Sequence, residues 1–157
     1  AKKVSKSDYY LVVVGDGPLF KKLKKKVEDE NIHDVIFTGS RNDVADIIPS
    51  CDVLILPSFS ESFGLVLIEA LACGKPVIGS NVGGITEIIN ENVGLLVDPN
   101  KVASIAKAID TVIDDEELRS SLALNARARA MDFSEVEIPY DEVKKWNKQL
   151  DHLVLQQ

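Results

Sequence analysis

The sequence predicts a doubly wound α/β fold, in which helices cover both faces of a parallel sheet. Short apolar runs recur along the chain, and polar residues do not alternate with apolar ones inside them. That pattern is typical of parallel strands that are buried on both faces. Helical patterns lie between the runs, so strand, turn and helix follow one another at short intervals. The 157 residues are enough for one domain with a real core.

The apolar runs are the predicted strands, and they lie at residues 10–14, 34–38, 52–56, 76–79 and 94–97. The predicted helices lie at residues 18–30, 42–50, 63–73, 84–90, 98–115, 115–131 and 139–153. In the first helix, Leu19, Leu23 and Val27 share one face, which we predict to be buried. The lysines between positions 21 and 26 then form a solvated face, an explanation that we prefer to a phosphate-binding patch. Pro139 opens the last helix.

Composition excludes several classes of protein. The net charge of −7 argues against a nucleic-acid binder, which would need a positive face. No apolar run approaches the roughly 20 residues of a membrane span. The start, AKKVSKSDYY, lacks the apolar core of a signal peptide. A signal or anchor on a longer parent chain would not be visible here.

Cysteine and histidine, the residue types that often bind metals or act as nucleophiles, are few and scattered in this sequence. Cys51 and Cys73 lie in apolar surroundings without a CxxC spacing, so we predict free thiols in a reducing compartment. His33 and His152 are isolated, which leaves nothing for a zinc site or a Ser-His-Asp arrangement to build on. We therefore expect a cytoplasmic protein without a metal.

Glycine-rich and polar loops follow the first four predicted strands, where open α/β sheets bind their ligands. These loops are 15-GDGP-18, 39-GSRND-43, 57-PSFSESFG-64 and 79-GSNVGG-84. Their glycines would let the backbone approach a ligand closely. The first loop is not a dinucleotide fingerprint, because Phe20 stands where GxGxxG needs its third glycine. For that loop a plain tight turn is as good an explanation as a ligand site.

Glu69 is the only polar side chain in the predicted helix 63–73, which looks buried on every side. An isolated ionised carboxylate in an apolar place is costly unless it is hydrogen-bonded. A vicinal diol, such as that of a ribose, could donate two hydrogen bonds to it. The alternative is a partner within the fold, for instance Lys75 or a backbone group. The start of this helix would offer N–H groups to phosphate or sugar oxygens, and Gly64 lacks a side chain that would block them.

Glu61 stands just before that helix, between two serines. Alone, it reads as a solvated residue or a charge at a helix N-terminus. Together, the two glutamates lie in the pattern PSxxESFGLVxxEAxAxGxPVI, which resembles the donor-binding motif of retaining glycosyltransferases of the GT-B fold, family GT4 (glycosyl transferases group 1). Further segments follow the C-terminal domain of that family in order, namely 12-VVVGDGP-18, 35-VIFTGS-40, 83-GGITEII-89 and 94-GLLVDP-99. The resemblance covers about residues 10–133.

The resemblance implies that residues 1–157 are a Rossmann-like domain that binds a nucleotide-diphosphate sugar, with Glu61 as the catalytic residue near the sugar. Glu69 would take the ribose hydroxyls. The other donor-binding residues would be Ser62, Phe63, Gly64 and Leu65 at the helix start, Gly15 and Gly17 at the phosphates, and Ser40 and Arg41 at the base. The sugar would pass to an acceptor hydroxyl with retention at the anomeric carbon. The leaving phosphate would help to deprotonate the acceptor, and no metal or other cofactor would be needed.

Parts of the family's pattern have no counterpart in this chain. The family's first strand and helix of this domain carry an Arg and a Lys that neutralise the diphosphate, and nothing before Tyr9 can supply them. The N-terminal acceptor domain is missing too, so we expect a piece of a longer protein that is inactive alone. The sheet should either close across the gap in the order 2-1-3-4-5 or receive a strand from another chain.

The sequence leaves the nucleotide base, the sugar and the acceptor open. It also leaves open an attachment to the inner face of the membrane through the missing half. Two rival functions remain. One is a nucleotide-sugar epimerase with the same fold, and the other is a non-catalytic module that binds nucleotide sugars or proteins.

Overall fold

A computed structural model describes residues 9–134 of the chain. The described residues form two compact units, which divide in the sequence between Val44 and Ala45. The order of strands and helices follows the predicted one throughout this range. The last predicted helix, 139–153, lies outside the described residues.

The first unit contains a two-stranded parallel sheet and one connecting helix. Strand β1 (Leu11–Val14) pairs with β2 (Val35–Gly39), and α1 (Phe20–Asp29) runs between them. The ring of Phe20 meets that of Phe37 edge to face, with 5.6 Å between the ring centroids. This contact packs the start of α1 against β2.

The predicted buried face of α1 is only partly correct. Leu19 and Leu23 are 59% and 43% exposed, whereas Val27 is half-buried. The helix has no fully buried residue. A layer of two strands and one helix has too little mass to cover a whole helix face, so the outer leucines stay in contact with solvent.

The second unit is built on a three-stranded parallel sheet. Its strands are β3 (Leu54–Leu56), β4 (Val77–Ser80) and β5 (Gly94–Val97), in the order β3-β4-β5. Every residue of the central strand β4 is buried. This explains why the strand could be recognised from its apolar residues without any alternation.

Five further helices accompany these strands. They are α2 (Val44–Ile47), α3 (Leu65–Ala72), α4 (Ile85–Ile88), α5 (Val102–Asp114) and α6 (Glu116–Met131). The predicted helix 42–50 is shorter than expected and ends in a 3₁₀ turn, Ile48–Ser50. Pro49 has no N–H to donate and clashes with a preceding carbonyl in an α-helix, which accounts for the change.

Helices cover both faces of the sheet in the second unit. On one face, Ile78 packs with Val97 of β5 and Val112 of α5. On the other, a Cβ added to Gly79 would lie 2.6 Å from Ile89 Cδ1, beside α4. The predicted doubly wound arrangement is therefore confirmed, and its core lies on either side of β4.

The prediction of one closed sheet is wrong for the described residues. The strands form two sheets, β1-β2 and β3-β4-β5. Strand β3 has three residues, and its ladder is made with β4. A second ladder on so short a strand would add few hydrogen bonds, while ordering the paired residues would still cost conformational entropy. A strand supplied by another chain stays a prediction.

Asp115 both ends α5 and caps α6. Its Oδ1 accepts a hydrogen bond of 2.8 Å from the Leu118 N–H. We expect Asp115→Ala to lower the free energy of unfolding by about 1 kcal/mol, because the first turn of α6 loses an acceptor. Chemical denaturation would measure this, with Asp115→Asn as the matched control that keeps a capping oxygen. Equal losses in both variants would contradict a capping role.

Candidate functional site

The loop between β3 and α3 contains the first candidate residues. Helix α3 begins at Leu65, so Phe63 and Gly64 precede the helix rather than forming its first turn as predicted. Gly64 is the N-cap residue and has a left-handed backbone, with φ 89° and ψ 51°. An L side chain strains this conformation, which is why glycine occupies the position. Residues 61–64 are called the 61–64 segment below.

The absent side chain of Gly64 would point into the core. A Cβ there would lie 3.2 Å from Leu67 Cδ1, 3.4 Å from Leu56 Cδ2 and 3.5 Å from Ile85 Cγ1. Glycine at position 64 thus lets the segment pack tightly against the core. The sequence-based explanation, that glycine stands there to leave access for a ligand, is corrected accordingly. The tight packing fixes the place from which the first N–H groups of α3 start. A helix leaves these groups without partners inside the helix.

Glu61 is half-buried in the same segment. The Ser58 hydroxyl donates to Glu61 Oε2 at 3.4 Å, a long hydrogen bond between two residues of one loop. Ser58 was not among the predicted site residues. A serine three positions before a glutamate is too common a pattern to indicate such a contact.

The loop after β4 packs against the backbone of the 61–64 segment. A Cβ on Gly83 would lie 2.1 Å from the Glu61 carbonyl oxygen, and one on Gly84 would lie 2.4 Å from that of Ser62. The Gly84 N–H also donates to the Glu61 carbonyl at 3.4 Å. These glycines closely approach the protein's own backbone, and their predicted approach to a ligand stays a prediction.

Glu69 lies on the less buried side of α3. The helix buries four residues completely: Leu67, Ile68, Ala70 and Leu71. Glu69 is half-buried, and Leu65, one turn earlier, is 40% exposed. The prediction that α3 is buried on every side is therefore wrong. A carboxylate on a half-open stripe costs less than one in the core and can be reached from outside.

Glu69 also interacts with groups of the protein. Burial raises the pKa of the Cys73 thiol, and the charge of Glu69 adds to that rise while Lys75 opposes it. Burial likewise raises the pKa of Cys51, so both free thiols are protonated at neutral pH. Glu69 also takes part in a further interaction with the protein. Both explanations for Glu69, a partner within the protein and the hydroxyls of a ribose, therefore stay open.

The first unit brings its own two loops together. Gly15 has φ 122°, and its N–H donates to the Gly39 carbonyl at 2.8 Å. Gly17 has open space around the position of a Cβ. The loops 15–18 and 39–43 thus meet at the carboxyl ends of β1 and β2, where the sheet position predicts ligand binding.

Ser40 and Arg41 are both exposed in the second of these loops. The Arg41 guanidinium donates two hydrogen bonds to the Asp43 carboxylate, one of them from Nε to Oδ1 at 2.7 Å. These bonds raise the pKa of Arg41. The predicted contact of Arg41 with a base would have to form beside this ion pair, through the face of the guanidinium plane.

An open depression of about 560 Å³ between the ends of α5 and α6 offers no donor site. Its lining includes Asp110, Asp114 and Asp115, with Lys107 as its cation. Carboxylates in that number would repel a diphosphate. Within residues 9–134, no three acidic, Cys or His side chains are grouped to hold a metal. Nor does that part of the chain contain a helix long and apolar enough to cross a membrane.

Comparisons with known proteins agree on one family. The family described as glycosyl transferases group 1 matches residues 1–129. The N-acetyl-alpha-D-glucosaminyl L-malate synthase of Bacillus anthracis is 40% identical over 129 residues, which cover 81% of this chain and 34% of that protein. The chain thus spans about a third of that curated relative's length.

Solved structures of this fold include HepE of Anabaena in complex with UDP, with 28% identity, a TM-score of 0.75 and coverage of 95% of this chain and 42% of that one. The C-terminal domain of the group 1 glycosyl transferase LpcC of Francisella tularensis is 29% identical, with a TM-score of 0.72. That match covers 83% of this chain and 72% of the domain. The fold is that of GT-B glycosyltransferases, and the chain belongs to the glycosyl transferases group 1 family.

Proposed function

We propose that this chain is the donor-binding C-terminal domain of a longer glycosyltransferase of the GT4 type. The reaction is transfer of a sugar from a nucleotide diphosphate to an acceptor hydroxyl, with retention at the anomeric carbon. The observation that carries the proposal is the arrangement of Glu61, the start of α3 and the half-exposed Glu69 on one short stretch of chain. The UDP bound to HepE, a structural relative, supports a nucleotide ligand.

In this proposal the start of α3 binds the charged part of the donor. The backbone N–H groups of Phe63, Gly64 and Leu65 hold sugar hydroxyls and the diphosphate, aided by the positive end of the helix dipole. Ser62 adds a hydroxyl beside them. Glu61 contacts the sugar near its reacting carbon. Because Gly83 and Gly84 pack against this segment, the groups are placed before the donor arrives.

Glu69 accepts hydrogen bonds from the ribose hydroxyls in the proposed complex. It lies one turn into α3, on the stripe that starts with the exposed Leu65. In the first unit, Gly15 and Gly17 are the residues that we propose for the phosphates. Ser40 and Arg41 lie against the base, where the guanidinium plane of Arg41 can stack.

Catalysis rests on position and charge rather than on a protein base. The leaving diphosphate takes the proton of the acceptor hydroxyl as the new glycosidic bond forms, and neither a metal nor another cofactor takes part. The acceptor binds to a domain outside this chain, so the chain alone does not transfer sugar. The free thiols fit a cytoplasmic location. Contact with the inner membrane face would come through the rest of the protein.

Calorimetric titration of the chain with UDP, GDP and ADP tests the donor site. We expect one nucleotide to bind, and Glu69→Gln to raise its dissociation constant about tenfold, because a charged acceptor for two hydroxyls becomes a neutral one. Glu91→Gln is the matched control, since Glu91 is exposed in the turn before β5. Binding of no nucleotide, or equal binding by both variants, would contradict the proposed site.

A further inference from the structure

The C-terminal end of α6 is tied to α4 by one arginine. Arg129 Nε donates to the Ile88 carbonyl at 2.9 Å, and Nη2 donates to the Glu87 carbonyl. Its Nη1 reaches Asp132 Oδ2 at 2.9 Å. Carbonyls at the end of a helix lack partners within the helix, so the guanidinium satisfies groups that α4 leaves open.

The same arginine supports an aromatic pair. The Arg129 guanidinium carbon lies 4.8 Å from the centroid of the Phe133 ring. Phe133 in turn meets Phe63 edge to face, with centroids 6.1 Å apart and planes at 76°. A cation over one ring and an edge contact with the next are both attractive geometries. Phe63 belongs to the 61–64 segment, so the chain of contacts runs from α6 to the candidate site.

A second series of contacts connects Arg129 with the 61–64 segment. Helix α4, which Arg129 holds at its end, begins directly after Gly84. Gly84 is the residue whose Cα faces the Ser62 carbonyl and whose N–H reaches the Glu61 carbonyl. The 61–64 segment thus contacts two groups that Arg129 holds, namely the loop before α4 and the Phe133 ring.

We propose that Arg129 is a positioning residue that holds the 61–64 segment in place for the nucleotide-sugar donor. It acts through Phe133 on one side and through α4 and Gly84 on the other. The inference rests on the proposed donor site, and it adds a residue from α6 that lies outside the motif at residues 57–78. Losing Arg129 would free the end of α4 and the Phe133 ring together, so Phe63 and Gly84 would lose their support at once.

Backbone amide exchange tests the positioning directly. The Leu67 N–H donates to the Gly64 carbonyl at 2.9 Å and the Gly84 N–H to the Glu61 carbonyl at 3.4 Å, so both report on the segment. In Arg129→Gln we expect both amides to exchange about tenfold faster relative to Val77 in the central strand. Arg127→Gln is the matched control, because it removes the same charge from an exposed position of α6.

A second variant covers the case in which Arg129→Gln does not fold. Phe133→Leu keeps an apolar side chain but removes the ring that meets Phe63, and we expect the same acceleration at Leu67 and Gly84. Arg129→Lys should not restore slow exchange, since one ammonium cannot bond two carbonyls in a fixed fork. Unchanged exchange ratios in Phe133→Leu, or in a folded Arg129→Gln, would overturn the proposal.

The link to the donor is measured with UDP. Arg129→Gln should weaken UDP binding about tenfold, while Arg127→Gln leaves it unchanged. Faster exchange with unaltered UDP affinity would overturn the positioning role for the donor. If the unsubstituted chain binds no UDP, GDP or ADP, the proposed function fails, and the exchange ratios alone decide whether Arg129 holds the segment.

Discussion

Replacing Gly84 with alanine is expected to lower the free energy of unfolding by about 3 kcal/mol. The added Cβ would lie 2.4 Å from the Ser62 carbonyl oxygen and 2.7 Å from the Phe63 Cα. These are backbone atoms, which cannot turn aside as a flexible side chain can. The φ of Gly84 is −65°, which alanine adopts easily, so the loss would come from the collision alone.

Chemical denaturation of the chain measures this effect. Gly17→Ala is the matched control, because nothing lies within 4 Å of its Cβ position. We expect the control to change the free energy of unfolding by less than about 1 kcal/mol. If both variants unfolded alike, the close packing of the loop after β4 against the 61–64 segment would be refuted.

Replacing Glu61 with alanine should lower the rate of sugar transfer by at least about 100-fold in the longer protein that we propose contains this domain. Glu61 is half-buried and held by Ser58 in a segment that Gly83 and Gly84 fix from behind. Its carboxylate would act on charge that develops at the sugar, so kcat should fall while nucleotide binding persists. Steady-state kinetics with the donor that the titration identifies would separate the two quantities.

Ser60→Ala provides the control for this experiment, since Ser60 is exposed in the same loop. The chain without the acceptor domain should show no transfer at all. An unchanged kcat in Glu61→Ala would contradict the catalytic role of Glu61. No transfer by the unsubstituted longer protein would favour a non-catalytic binding module or an epimerase. Transfer by the isolated chain would disprove its proposed inactivity.

The order of strands and helices could be predicted because the second unit is buried in a regular way. Strand β4 is covered on both faces and accordingly shows no alternation of polar and apolar residues over Val77, Ile78 and Gly79. Periodicity failed where burial is partial. It placed Leu19 and Leu23 in a core that the first unit is too small to provide, and it made α3 look buried around Glu69.

The candidate site was predictable in its residues but not in its construction. The motif identified Glu61 and Glu69, because both lie in one local pattern. It could not show that a side chain at Gly64 would crowd the core, or that Gly84 packs against the Ser62 carbonyl. Both facts depend on distant segments folding together. The contact of Phe133 with Phe63 joins residues 70 positions apart and likewise had no local signal.

The junction at Asp115 restricts how this domain can be engineered. One residue, Asp115, both ends α5 and caps α6. A peptide inserted there could leave α6 without the carboxylate that accepts from its first turn. The turn at Glu91 and Asn92 is different, because both side chains are exposed there. A fluorescent label or a surface tether for a binding assay therefore belongs at that turn, well away from the helix junction in sequence.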